Sequence, residues 1–226
     1  MGRRWLWIVL MLLLAGCGGG SGTTGSVGEG AVTGAPGSKL PPLVTKPILG
    51  STRNIVFLGD SITQYGTYPG VVADAVGVNG INEGQAGEKI LEMLERLNVS
   101  VIIWHPTVCV LMCGTNDAYY LTPPAQFQAS LVILLNRLTA SGIPVVVVTP
   151  PHFAVGLSDR GRDLNASLAS LVTILRAESV RRGLVTAEVN NAAVTLTPDG
   201  VHPNAAGQAV IAAIVTPAVE AALATH

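Results

Sequence analysis

The sequence is poor in charge. Only 12% of its 226 residues are charged, and the formal net charge is -1 at pH 7. No basic stripe is available to neutralise phosphates and no acidic tail offers a partner surface, so nucleic acid is not an expected ligand. Cysteine is scarce as well: three residues, Cys17, Cys109 and Cys113, do not make the disulfide framework of a small secreted domain. Cys109 and Cys113 share the apolar run "VCVLMC", where extended chain holds their Cα atoms about 13 Å apart, beyond disulfide reach. They are expected as buried thiols, since a CxxxC metal site would need a second pair of ligands. The three-glycine dinucleotide fingerprint is missing too, Gly84 and Gly87 forming only a G-x-x-G. No internal repeat recurs, and neither a cofactor nor a metal is expected.

Long hydrophobic runs are also few. The one near the N-terminus, residues 5–15, is too short for a comfortable membrane span. Arg3 and Arg4 precede it and Gly16 and Cys17 follow, in "MGRRWLWIVLMLLLAGCGGG", which is the pattern of a secretory signal peptide. Leu14, Ala15, Gly16 and Cys17 resemble the lipobox of bacterial lipoproteins, in which the cysteine becomes the lipidated first residue of the mature chain. That resemblance implies a signal peptide over residues 1–16, a lipid on Cys17, and an exported, membrane-anchored protein facing the periplasm or the cell surface. The next stretch, "GGGSGTTGSVGEGAVTGAPGSKLPP", has too little apolar area to offset its ordering entropy. Residues 17–50 are expected as a flexible linker with an r.m.s. reach of about 30 Å, leaving one domain, monomeric, over 51–226.

Within that domain β-branched runs alternate with helical patterns. The runs are 54–59, 76–81, 107–113, 144–150 and 184–189, and the helical patterns lie around 68–76, 87–97, 123–141, 160–182 and 203–223. Short strands of continuous apolar character suit a parallel sheet covered on both faces, so the expected class is α/β with three layers. Pro203 is expected in the first turn of the last helix.

In such sheets ligands bind beyond the carboxyl ends of the strands. There the sequence places "GDSIT" with Ser61, "NEGQAGEK" with Gly84 and Gly87, "GTNDAYY" with Asn116, and "DGVHPN" with Asp199 and His202. A serine hydroxyl becomes a useful nucleophile when a base takes its proton, and histidine titrates in the right range. His202 is the candidate base, and Asp199 is spaced to bond its other ring nitrogen. The N–H groups of Ser61 and Gly87 and the Asn116 amide are candidate donors to an oxyanion. Gly87 is taken before Gly84 because it should directly precede a helix, whose first N–H groups are free. Singly each residue has a plainer reading, Ser61 as a helix N-cap, His202 as a surface histidine, and Asn116 with Asp117 as a turn pair. Their joint order favours a site.

The blocks "GDSIT", "NEGQAG", "GTND" and "DGVHP" resemble, in the same order, those of the SGNH hydrolases of the GDSL esterase/lipase superfamily. The resemblance implies a flavodoxin-like α/β/α sandwich with a five-stranded parallel sheet of order 2-1-3-4-5. It implies a Ser61, Asp199 and His202 triad, with Ser61, Gly87 and Asn116 as the oxyanion hole. No G-x-S-x-G elbow surrounds the serine, which argues against the α/β-hydrolase type.

For substrate, the four tyrosines Tyr65, Tyr68, Tyr119 and Tyr120 are expected in the loops after Ser61 and Asn116, with Tyr119 and Tyr65 as pocket walls. His152 and Phe153 end the fourth strand and are candidate borders, whereas His105 and His226 are not expected at the site. The expectation is a carboxylesterase acting through an acyl-enzyme on short-chain acyl or aryl esters or O-acetylated carbohydrates. The alternatives are a lysophospholipase or thioesterase and, from another class, a non-catalytic glycan-binding surface lipoprotein.

Overall fold

The computed structural model describes residues 53–225 apart from Arg160. The expected signal peptide, Cys17 and the linker lie outside the described residues. Five parallel strands form the sheet: β1 (Asn54–Gly59), β2 (Asn79–Gly84), β3 (Val108–Met112), β4 (Val145–Val148) and β5 (Val185–Ala187). Their spatial order is 2-1-3-4-5, as the resemblance implies. The helices are α1 (Ser61–Gln64), α2 (Tyr68–Val76), α3 (Ile90–Glu95), α4 (Leu97–Ser100), α5 (Thr115–Tyr119), α6 (Pro124–Ala140), α7 (Leu164–Arg182) and α8 (Ala205–Ala224). An antiparallel pair of two-residue strands, Ser158–Asp159 and Arg162–Asp163, precedes α7.

Strand residues alternate between two cores. Ile55, Phe57, Val108, Val110 and Met112 pack with α2 and α8 on one face. Val56, Leu58, Cys109, Leu111 and Cys113 pack with α3, α6 and α7 on the other. Burial on both faces is why these strands read as unbroken apolar runs. Cys109 and Cys113 are buried free thiols, as expected, and burial pushes the Cys109 thiol up to about 12.

Boundaries differ from the sequence reading in several places. The helix expected over 160–182 begins only at Leu164, after the short strand pair. Three further differences have a local physical cause. Residues 76–81 were the expected second strand, but Val76 closes α2, and Gly77, left-handed at φ 68°, caps it through the Ala73 and Asp74 carbonyls. The strand therefore starts at Asn79 and continues through polar Asn82 and Glu83, which pair with Phe57 and Leu58. As an edge strand, β2 finds partners for these polar groups: Asn82 Nδ2 donates to the Thr63 carbonyl at 2.8 Å. The helix expected over 87–97 begins only at Ile90, because Gly87 is left-handed at φ 81°, and it breaks at Arg96 into α3 and α4. Finally, Pro203 lies before α8 rather than in its first turn. It bridges to Leu196, and Asn204 is the cap, accepting from the Gly207 N–H at 3.0 Å.

Two strand ends sit hard against α1. A Cβ on Gly59 would lie 2.1 Å from Thr63 Oγ1, and one on Gly84 would lie 2.2 Å from the Gln64 backbone nitrogen. Backbone cannot yield as a flexible side chain does, so Gly84→Ala must push α1 off the sheet, at a cost of about 1–3 kcal/mol. Thermal melts should show Gly84→Ala unfolding about 3 °C or more below the parent. An unchanged Tm would contradict the close approach.

Candidate active site

The chain leaves β1 at Gly59 and turns at once into α1. Asp60 is the cap, its Oδ1 accepting the Ile62 N–H at 2.9 Å, so the plainer reading of Ser61 as N-cap is replaced by Ser61 as the first helical residue. Ser61 faces the cavity at 8% exposure. Its Oγ lies 2.8 Å from His202 Nε2, and His202 Nδ1 lies 2.7 Å from Asp199 Oδ2. The other Asp199 oxygen accepts the Val201 and His202 N–H groups at 2.8 and 2.9 Å and the Thr197 hydroxyl at 2.8 Å. Desolvation opposes the charge on Asp199, but the His202 and Val201 N–H groups, the imidazole and the hydroxyl together hold the carboxyl well below its usual range. An ionised Asp199 selects the tautomer with the proton on Nδ1, which leaves Nε2 to accept the Ser61 hydroxyl proton.

The loop that delivers the imidazole is stitched by its own backbone. Gly200 is left-handed at φ 72°, Thr197 N–H donates to the His202 carbonyl at 2.7 Å, and Ala154 N–H donates to the Gly200 carbonyl at 2.8 Å.

The candidate anion donors line the same cavity as the imidazole. The turn after β2 is held by Gln85 N–H on the Gly59 carbonyl at 2.9 Å and Ala86 N–H on Gln64 Oε1 at 2.8 Å. Gly87 lines the cavity. The Gly84 N–H is already engaged by Asn82 Oδ1 at 2.9 Å, so geometry separates the two glycines: Gly84 packs and Gly87 faces the site. The reason for choosing Gly87 is corrected, however, because it sits in a left-handed turn three residues before α3 and not at a helix start. Asn116, in α5 beyond β3, also lines the cavity. Its Nδ2 donates one hydrogen to the Glu88 carbonyl at 3.0 Å, which leaves a second for a ligand.

The cavity encloses about 410 Å³ and is lined by Ser61, Gly87, Asn116, Asp199 and His202 together with Tyr65, Tyr119, Tyr120, Leu157 and Val201. Tyr119 meets Tyr120 edge to face at 5.2 Å and is backed by Phe153 at 6.5 Å. Tyr65, Tyr119 and Tyr120 line the cavity. Tyr68 does not: it is fully buried at the start of α2 with its hydroxyl on Thr63 Oγ1 at 2.8 Å. Phe153 lies behind the wall, and exposed His152 bonds Asn165 rather than the site. His105 is exposed just before β3, away from the cavity, and His226 is outside the described residues. Leu157 and Val201 carried no signal in the sequence, since neither belongs to an apolar run.

Sequence reasoning also missed two carboxyls beneath the site. Asp60 and Asp117 are fully buried, and desolvation raises each to about 6. Asp117 Oδ2 accepts the Ile90 N–H at 3.0 Å and so fastens α3 to α5. A buried carboxyl with a raised pKa favours the fold while protonated. The contribution of Asp60 is complete below its unfolded value of 3.8 and is lost as the pH rises through about 6. Among the described residues no group of three or more His, Cys, Asp or Glu side chains is arranged to hold a metal ion.

An attackable hydroxyl, an oriented base and convergent donors around one cavity suit acyl transfer. Residues 57–210 match the GDSL-like Lipase/Acylhydrolase family. Similar solved structures include a GDSL-like lipase from Bacteroides thetaiotaomicron (22% identity, TM-score 0.67, covering 75% of this chain and 89% of that one). Another is an acetylxylan esterase from Geobacillus stearothermophilus (17%, 0.64, 76% and 96%). A third is the lipase/acylhydrolase from Enterococcus faecalis (24%, 0.65, 75% and 96%). No curated protein matches the sequence. At these identities the structures speak for the fold, while the family match covers most of the chain, including all four blocks and the cavity they surround: the protein belongs to the GDSL-like lipase/acylhydrolase family of hydrolases.

Proposed function

We propose that the protein is a serine carboxylesterase working through an acyl-enzyme, and the observation that carries this is the line from Ser61 Oγ to His202 Nε2 to Asp199, at 2.8 and 2.7 Å. In this reading Ser61 Oγ attacks the ester carbonyl carbon while its proton passes to His202 Nε2. The tetrahedral oxyanion takes hydrogen bonds from the Ser61 and Gly87 N–H groups and from Asn116 Nδ2. Each such donor is worth about 3 kcal/mol in the transition state. Collapse breaks the ester C–O bond, and the alcohol leaves with the proton held on His202. Water then attacks the acyl-Ser61 carbonyl, giving its proton to His202, and the second collapse returns that proton to Ser61 and releases the acid. Asp199 keeps the ring oriented and offsets its transient positive charge.

The walls support a substrate reading. A cavity of about 410 Å³ has room for the acyl and leaving groups of a small ester, and Tyr65, at 70% exposure, and Tyr120, at 60%, line it with exposed rings suited to an aryl or sugar leaving group. Short-chain acyl or aryl esters and O-acetylated carbohydrates are the proposed substrates, a choice in keeping with the acetylxylan esterase among the structural neighbours. The enzyme is proposed to act as a monomer, without cofactor, as an exported lipoprotein in the periplasm or at the cell surface, held to a membrane by lipid on Cys17.

The fragment from residue 51 should hydrolyse p-nitrophenyl esters, fastest at the shortest acyl chains, and Ser61→Ala should fall to background. Equal rates for the two proteins would sink the proposal, and a preference for long chains would move the assignment to a lysophospholipase. Because Asp199 stays ionised far into acid, kcat/KM should fall on the acid side with unit slope, the signature of one general base. A flat profile from about pH 5 to 9 would remove His202 from the role of base. In the full chain, Cys17→Ser should move the protein from the membrane to the soluble fraction with ester turnover unchanged. Retention on the membrane would contradict a lipid anchor at that residue.

A further inference from the structure

One cation bonds two of the segments that carry an oxyanion donor, and its partner Glu88 holds the third. Arg96, at the break between α3 and α4, has only 11% of its side chain exposed. Its Nε donates to both Glu88 carboxylate oxygens, at 2.9 and 2.7 Å. Its Nη2 donates to the Glu83 carbonyl at 2.7 Å and, at longer range, to the Gly59 carbonyl at 3.4 Å. Nη1 completes the set with Glu83 Oε2 at 3.5 Å. Each partner stands next to a donor. Gly59 is two residues before Ser61, Glu83 is at the end of β2 on the way to Gly87, and Glu88 follows Gly87 while its carbonyl holds the Asn116 amide at 3.0 Å.

We propose that Arg96 is a positioning residue for the oxyanion hole, fixing the Gly87 turn and the Asn116 amide relative to Ser61 and neutralising Glu88 beside the developing negative charge. The inference rests on the esterase reading above. A planar guanidinium bonds a carboxylate through one edge and carbonyls through another, which an ammonium cannot do from a single point. Without Arg96, Glu88, whose side chain is 13% exposed, would lose its guanidinium partner one residue along from the Gly87 donor. Its effect would fall on the transition state more than on the bound ester, which is a kcat effect.

The test is steady-state hydrolysis of p-nitrophenyl acetate by the parent, Arg96→Lys, Arg96→Met and Arg96→Met/Glu88→Gln, with thermal melts of each. Arg96→Met should lower kcat about 30-fold or more with KM within about twofold. Arg96→Lys should lose less, about threefold or more. Neutralising that carboxylate in the double variant should restore kcat at least about threefold over Arg96→Met. A purely architectural ion pair would leave the double variant no better than the single one. Amide exchange over residues 84–90 should also quicken in Arg96→Lys, a readout that needs no activity. The proposal is overturned by Arg96→Lys with parental kcat and parental exchange, by a loss confined to KM, or by a double variant that recovers nothing. If Arg96→Met does not fold, Arg96→Lys and the exchange measurement decide. An inactive parent would end the esterase reading and leave the exchange result to judge the tie alone.

Discussion

Much of this structure depends on how closely α1 lies across the ends of β1 and β2. The Gly59 and Gly84 positions admit no side chain there, and the two glycines face each other in the register of the parallel pair. Because that gap is closed, Ser61 stands directly above the sheet edge, the Gly87 turn bonds both the Gly59 carbonyl and the Gln64 side chain, and Asn82 reaches the carbonyl of Thr63. The spacing of the Ser61 and Gly87 main chains is therefore a property of backbone packing, while Asn116 is held through its side-chain amide.

Electrostatics complement this packing. The carboxylate that orients His202 is bathed in donors and stays ionised, while the carboxyl next to Ser61 is buried with a single backbone donor on Oδ1 and no hydrogen bond on Oδ2. Two aspartates within one small region thus have opposite pKa shifts for opposite environmental reasons. Only one of them needs to be charged for the proposed chemistry.

The alternation of strands and helices was legible in the sequence because both faces of the sheet are covered. That makes "IVFL" and "VVVV" unmistakable, and three polar turns at strand ends, with the "DGVHPN" loop before the last helix, pointed to the cavity. What misled the reading was polarity at an edge. Asn82 and Glu83 look like turn residues, yet β2 has one open side where their side chains bond α1 and Arg96. Tyr68 likewise looks like a loop tyrosine, although its hydroxyl is satisfied inside the core by Thr63. Asp60, Leu157 and Val201 were invisible for a different reason. Their importance comes from what a tertiary neighbour presents to them, and no local period records that.

The His202 loop is built differently from the rest of the cavity. Ser61, Gly87 and Asn116 follow strands of one sheet, whereas Asp199 and His202 ride a self-bonded loop fastened by the Leu196–Pro203 bridge and by Ala154. In the proposed chemistry, the ligand-holding and proton-moving halves of the site have separate foundations. A lineage could lose turnover by altering a few residues between 195 and 203 and still inherit an intact, correctly shaped cradle. Within this architecture an enzyme and a lectin-like descendant would be separated by one loop, and a fold comparison alone would not tell them apart.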